Sequence, residues 1–237
     1  MIRLLILDFD DTLTDNIYLD YQSFVFSCKK LGLSSPTFEK IVSLRKQGFL
    51  ATKIINQIVD NKIESEIISK FILLRQKFLK NKNSMKFLKL KDGTEKLFLM
   101  LKRHKINCIL CTSRKDKQFV LEFLKKQNIY HHFSKIFHSQ SEGSSLNNVD
   151  PLNRLLIKNV LLKKILQSYN FRNSEILYVG NAVEDLKTAQ NMDILFIYFQ
   201  NFYLPEYPYV KLKVDNMESL IKKIEGLSKE NTKEFFN

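Results

Sequence analysis

The stretch Ile2-Arg3-Leu4-Leu5-Ile6-Leu7-Asp8-Phe9-Asp10-Asp11-Thr12-Leu13-Thr14-Asp15 constrains this chain more than any other. An apolar run this short, stopping abruptly on carboxylates, predicts a buried parallel strand that delivers acids to the carboxyl edge of a sheet. That edge is where open α/β sheets bind ligands. Alternation along an extended chain sends Asp8 and Asp10 to the same side, and two carboxylates so close call for a cation. A hard divalent ion such as Mg²⁺ takes oxygen ligands from one or two carboxylates plus a phosphate, which is the chemistry this strand end offers. A strand running into an Asp-rich turn with no ligand is the plainer alternative, and the stretch by itself leaves both open.

After Asp15 the period changes from strand to helix. Tyr21, Phe24, Cys28 and Leu31 recur at helical spacing between Ile17 and Leu33, and Leu-Gly-Leu-Ser-Ser-Pro ends that helix. Further helical patterns cover Phe38 to Lys46, Leu50 to Val59, and Ile63 to about Lys80, where Ile63, Ile67, Phe71, Leu74 and Phe78 mark one face. Helices alone between a first strand and the next βα unit predict a separate small bundle, with polar hinges near Thr14 to Asn16 and Asn81 to Ser84. From Leu88 the alternating pattern resumes. Strands are expected at Ile106 to Arg114, Phe133 to Ser139, Glu175 to Gly180, Asp193 to Phe199 and Val210 to Val214. Helices are expected from Gly93 to Arg103, Asp116 to Gln127, Lys158 to about Tyr169, and Met217 to Ile224, with a frayed charged tail after Gly226. The fold class is therefore α/β: a Rossmann-like doubly wound parallel sheet core, residues 1–14 and 88–237, with an inserted α-helical bundle over residues 15–87.

Charge and cysteine content narrow the class of partner. The net charge of +13 is spread over every predicted helix in singles and pairs such as Lys29-Lys30, Lys125-Lys126, Lys163-Lys164 and Lys222-Lys223. A surface of this kind suits anionic small molecules and lacks the dense arm of a nucleic-acid binder. The aromatic cluster Phe199, Phe202, Tyr203, Tyr207 and Tyr209 reads as packing of the sheet edge against its loop. Cys28, Cys108 and Cys111 make an odd set without framework spacing, and Cys108 and Cys111 lie in a buried strand pattern, as expected of a reducing cytoplasm. Asp8 interrupts the first apolar run too early for a membrane span or signal peptide, and no later stretch is long enough. His131, His132 and His138 share no spacing suited to ligation and read as exposed or structural, and a monomer or homodimer is expected.

Asp-Phe-Asp-Asp-Thr-Leu-Thr-Asp resembles the opening motif of the haloacid dehalogenase superfamily, Asp-x-Asp-x-Thr after an apolar strand. Three more motifs follow in that family's order. Thr112, with the amide of Ser113, matches its hydroxyl at a strand end that binds the phosphoryl group. Lys158 matches by place its lysine near the start of the helix before the last motif strand, with Lys163 and Lys164 as alternatives. Gly180-Asn181-Ala182-Val183-Glu184-Asp185 is similar to its Gly-Asp-x-x-x-Asp, except that Asn181 stands where an Asp is usual. The resemblance is strongest to the phosphoglycolate phosphatase-like and phosphoglucomutase-like branch with a helical cap. It implies a Mg²⁺-dependent phosphatase acting on a small phosphorylated metabolite, with Asp8 as nucleophile and Asp10 as acid and base. Asp8, Asp10, Asp185, Asn181 and Glu184 would then be the candidate metal ligands, Asp8 taking part in both roles. Arg45, in Ser-Leu-Arg-Lys-Gln-Gly-Phe, is the candidate for substrate selection by the cap. Two alternatives stay open: a catalytically weak binding or regulatory relative, because of Asn181, and a phosphatase acting on nucleic-acid ends, because of the basic surface.

Overall fold

A computed structural model of the chain describes residues 1–59, 64–139 and 151–229. The chain divides into two compact units. One comprises Met1–Thr14, Leu90–Gln200 and Val210–Asn237, and the other Asp15–Lys89 with Asn201–Tyr209.

The first unit is built on six parallel strands in the order β5-β4-β1-β6-β7-β8. These are β1 (Leu4–Leu7), β4 (Asn107–Thr112), β5 (Lys135–His138), β6 (Ile176–Gly180), β7 (Leu195–Phe199) and β8 (Lys213–Val214). Leu4 to Leu7 are each 0% exposed, as a strand covered on both faces requires. In register, Leu4 and Leu7 lie beside Asn107 and Leu110 of β4 and beside Ile176 and Val179 of β6. The order reverses at β1, which puts its carboxyl end at the switch point of the sheet. Helices α5 (Thr94–Arg103), α6 (Lys117–Lys126), α7 (Pro151–Ser168), α8 (Val183–Asn191) and α9 (Met217–Lys229) complete the unit. Asp116 caps α6, its carboxylate accepting from the Phe119 amide at 3.0 Å. Cys108 and Cys111 are buried free thiols, and burial pushes the Cys111 thiol up to about 12.

Two sequence expectations need correction here. α7 begins at Pro151, so Lys158 lies two turns inside the helix and not near its start. Pro is well suited to a first helical position, where its missing N–H is no loss, and the segment before Lys158 is already helical. α9 runs on past Gly226 to Lys229, with Leu227 2% exposed, because Leu220, Ile224 and Leu227 share one buried face.

The second unit consists of α1 (Ile17–Lys30), α2 (Phe38–Lys46), α3 (Ala51–Ile58) and α4 (Ser65–Lys80), followed by a 3-10 segment at Lys82–Phe87. Ile63, expected on the α4 face, lies outside the described residues. Short strands β2 (Thr14–Asp15) and β3 (Lys89–Leu90) pair where the chain passes from one unit to the other. The core of this unit gathers Ile17, Phe24, Cys28, Ile41, Leu44, Ile54, Ile55 and Phe71. Tyr203, expected in packing at the sheet edge, joins the same core, and Asn201–Tyr209 clusters with this unit. Asp20 on α1 is held by two arginines. Arg45 donates to it through Nε at 2.7 Å and Nη2 at 3.0 Å, and Arg75 donates through Nη2. Burial alone would raise the Asp20 carboxyl, but the two guanidiniums outweigh it and lower it to about 2. Arg45 also donates to the Phe49 carbonyl at 2.9 Å, so it belongs to a fixed network in the last turn of α2. Gly48, at φ +78, makes the left-handed turn that ends this helix.

Candidate active site

Asp8 is the first residue past β1, and its amide donates to the Val179 carbonyl at 3.0 Å, continuing the β6 ladder by one step. Asp8 as a whole is 6% exposed. Lys158 reaches it from α7: Nζ lies 2.5 Å from Asp8 Oδ1, 3.0 Å from Asp185 Oδ1, 3.0 Å from the Tyr178 hydroxyl and 3.2 Å from the Cys111 carbonyl. The ammonium thus bridges the carboxyl ends of β4, β1 and β6. The Tyr178 hydroxyl in turn donates to Asp185 Oδ1 at 2.5 Å, and the Ala182 amide donates to Asp185 Oδ2 at 3.2 Å.

The electrostatics follow from burial. Two buried carboxylates, Asp8 and Asp185, face one buried ammonium. Burial drives the Asp8 carboxyl up to about 8; Lys158 opposes this, while Asp185 and Asp10 add to it. Burial acts on Lys158 in the other direction, yet Asp185 and Asp8 outweigh it and hold the amine well above its ordinary range. With both carboxylates ionised the three groups carry a net negative charge, which is why Asp8 resists ionising here, and a further positive charge would favour its ionised form.

The remaining candidate residues divide into those the fold gathers here and those it pairs elsewhere. Thr112, 1% exposed, ends β4 beside β1, and its hydroxyl accepts from the Arg114 amide at 3.1 Å. Ser113 follows it in the loop. Asn181 sits just past β6, where its side-chain oxygen accepts from the Thr12 hydroxyl at 3.3 Å, so it faces the turn that follows Asp8. Asp10, in the Phe9–Leu13 turn, is gripped by Arg114, whose Nε lies 2.8 and 2.9 Å from its two oxygens and Nη2 2.7 Å from Oδ1. Glu184 is paired with Arg154, at 2.6 Å from Nη2 and 2.9 Å from Nε. Lys163 and Lys164 are exposed on α7. Arg154 and Lys158 are one turn apart on α7 and engage consecutive acids in the first turn of α8, Glu184 and Asp185.

Arg114, Arg154 and Tyr178 were not singled out from sequence. Tyr178 carries a signal in hindsight: a hydroxyl in an otherwise apolar buried strand, two residues before its end, must find a partner. The arginines carry none, because each meets an acid 104 or 30 residues away that only the fold brings near.

The donors present fit a hard divalent ion. They are oxygens alone, the Asp8 carboxylate and the Asn181 amide oxygen, just past the adjacent strands β1 and β6. Mg²⁺ keeps several of its waters and needs few protein oxygens when a phosphate supplies others. Among the described residues no three His, Cys, Asp or Glu side chains converge on one point, in keeping with the separate pairing of Asp10 and Glu184.

The doubly wound sheet thus carries, at the end of its central strand, a buried carboxylate paired with a lysine. The chain belongs to the haloacid dehalogenase-like hydrolases, whose family profile matches residues 5–199. Solved structures share its fold at low identity. One, described as a predicted phosphoglycolate phosphatase from Haemophilus somnus, is 14% identical with a TM-score of 0.71, covering 94% of this chain and 98% of its own. Another, described as a predicted phosphatase from Clostridium acetobutylicum, is 20% identical with a TM-score of 0.69, covering 95% and 99%. The HAD-hydrolase YfnB of Bacillus subtilis, described as bound to magnesium, is 14% identical with a TM-score of 0.64, covering 94% and 99%. No curated protein matches the chain significantly. No helix among the described residues is long and apolar enough to cross a membrane.

Proposed function

We propose that this hydrolase is a Mg²⁺-dependent phosphatase that cleaves a small phosphate monoester through an aspartyl-phosphate on Asp8. The observation that carries this reading is the buried Asp8 carboxylate at the switch point, 2.5 Å from the Lys158 ammonium. A phosphate monoester is dianionic, so an anionic nucleophile meets repulsion that fixed positive charge must offset. Lys158 supplies one such charge, and Thr112 and Ser113 at the end of β4 supply donors for phosphoryl oxygens. When bound at Asp8 and Asn181, Mg²⁺ supplies further charge neutralisation on the phosphoryl group.

In the first step an Asp8 oxygen attacks phosphorus, the phosphorus–oxygen ester bond breaks, and the departing oxygen takes a proton from Asp10. In the second, water attacks the same phosphorus and passes its proton to Asp10. The Asp8 oxygen–phosphorus bond then breaks and inorganic phosphate leaves. A second Asp two residues after the nucleophile serves a leaving alkoxide, whereas halide departure needs no such group, which favours phosphoryl transfer. Asn181 favours a weaker enzyme than the usual motif would give, because its amide oxygen brings no charge to the metal. The cap-substrate role of Arg45 stays a proposal; its ties to Asp20 and Phe49 suit a rigid element better than a mobile one.

The test is a screen of sugar phosphates, phosphoglycolate and nucleotides with added Mg²⁺, run on the wild type and on Asp8→Asn. Phosphate release by the wild type and none by the variant, which should remain folded with stability unchanged or raised, is the expected result. Equal release by both would remove the covalent mechanism.

A further inference from the structure

Asp10 has to act twice in this mechanism, on the leaving oxygen and on the attacking water, yet it sits on a turn and not on a rigid element. Its neighbour Asp11 has φ +57, and the Phe9–Leu13 segment departs from helical geometry at both Asp10 and Asp11. A carboxylate side chain on such a turn has freedom about two torsions unless something outside the turn holds it. Arg114 does. Its guanidinium takes both Asp10 oxygens through Nε and adds a third contact through Nη2, a fork-to-carboxylate arrangement that fixes the plane as well as the position of the carboxylate. The arginine is itself immobilised. Its guanidinium carbon lies 4.8 Å from the centre of the Phe119 ring and 5.5 Å from that of Phe9, and its amide is tied to the Thr112 hydroxyl. Its side chain is 18% exposed. Lysine could supply charge here but not the planar fork or the stacking.

We propose that Arg114 is a positioning residue that aims Asp10 at the attacking water, and so sets how fast the phosphorylated Asp8 is hydrolysed. This rests on the phosphatase reading above. It adds a residue outside the motif set: Thr112 ends β4, and Arg114, two residues on, carries the clamp for the acid and base.

An aryl phosphate isolates the step. p-Nitrophenolate departs without needing a proton, so Asp10 matters little to phosphorylation of Asp8 and mainly to hydrolysis of the intermediate. Arg114→Ala should therefore show a burst approaching one p-nitrophenol per protein, followed by a steady state about 100-fold slower than wild type, the scale on which misplacing a catalytic group lowers a rate. Acid quenching should trap the phosphorylated protein. Arg114→Lys should recover only part of the steady-state rate, and its thermal melt, matched to wild type, separates aim from folding. Asp10→Asn should give the same burst, and the double variant Arg114→Ala with Asp10→Asn should be no slower than Asp10→Asn alone. Burst and steady state falling together, a change in KM alone, or multiplying losses in the double variant would overturn the role of Arg114. If wild type and Asp8→Asn release p-nitrophenol alike, it is the phosphatase reading that fails.

Discussion

Replacing Gly180 with alanine should cost far more than a methyl group ordinarily does. A Cβ at this position would lie 2.5 Å from Asp185 Oδ2, 2.7 Å from Cγ and 2.8 Å from Cβ. Ordinary van der Waals separation between such atoms is roughly 3.5 Å or more, so a shift on the order of 1 Å is required. Asp185 has nowhere to go: it is 1% exposed and held by the Ala182 amide, the Tyr178 hydroxyl and Lys158. Retreat sacrifices at least the amide bond, and a hydrogen bond to a charged group contributes about 1.5 to 3 kcal/mol. With some loss at Tyr178 added, the expected destabilisation is about 2 to 4 kcal/mol. Lys158 follows Asp185, so turnover should fall as well. The control is the same substitution at Gly226, in α9 of the same unit, where a Cβ meets nothing within 4 Å. There alanine should stabilise by about 0.5 to 1 kcal/mol through helix propensity. Urea unfolding of wild type and both variants, compared at matched m-values, reads both signs. A Gly180→Ala variant within about 0.5 kcal/mol of wild type would refute the claim that Asp185 is locked.

Asn181→Asp should tighten Mg²⁺ about ten-fold, or about 1 to 2 kcal/mol, measured by calorimetric titration, since it restores a charge beside Asp8. Glu184→Gln should leave Mg²⁺ affinity unchanged, because that carboxylate serves Arg154, and should lower stability by no more than about 1 kcal/mol. Asp20, lowered from 3.8 to about 2, contributes about 2 kcal/mol to folding above its unfolded value, and that contribution is lost as pH falls from roughly 4 through 2. The stability gap between wild type and Asp20→Asn should therefore be full at pH 7 and narrow below pH 4 in urea titrations, and a gap independent of pH would contradict the two-arginine network.

Elements with a clean period could be read directly. Phe38 to Lys46 is helical to the residue, and Leu4 to Leu7 is the central strand because four consecutive apolar residues before an acid have few other uses. α7 was harder. Its first turns carry Asn153 and Arg154 among leucines, a polar mixture that resembles a loop until Arg154 is seen to meet Glu184. At the site, local motifs marked Asp8, Thr112, Lys158 and Asp185, all anchored at strand ends or on a flanking helix. The clamps on Asp10 and Glu184 were invisible because an ion pair leaves no periodic trace when its members come from different elements. The pairing of Tyr203 with the helical core was hidden for the same reason: 186 residues separate it from Ile17, and composition says only that the segment is aromatic.

The central strand also sets a schedule for synthesis. β1 leaves the ribosome well before its neighbours, which begin only at Asn107 and Ile176. At about 5 to 20 residues per second, some 5 to 20 s pass before β4 exists, and longer before β6 can close the other side. Throughout that interval Leu-Leu-Ile-Leu is a bare, β-prone segment with both edges open, the kind of stretch that nucleates aggregation. The helical unit, whose α1 to α4 are contiguous, emerges meanwhile and lacks only the Asn201–Tyr209 segment. The nascent protein thus has the helices of its inserted unit before the core that carries it, and Leu4 to Leu7 need shielding until Asn107 arrives.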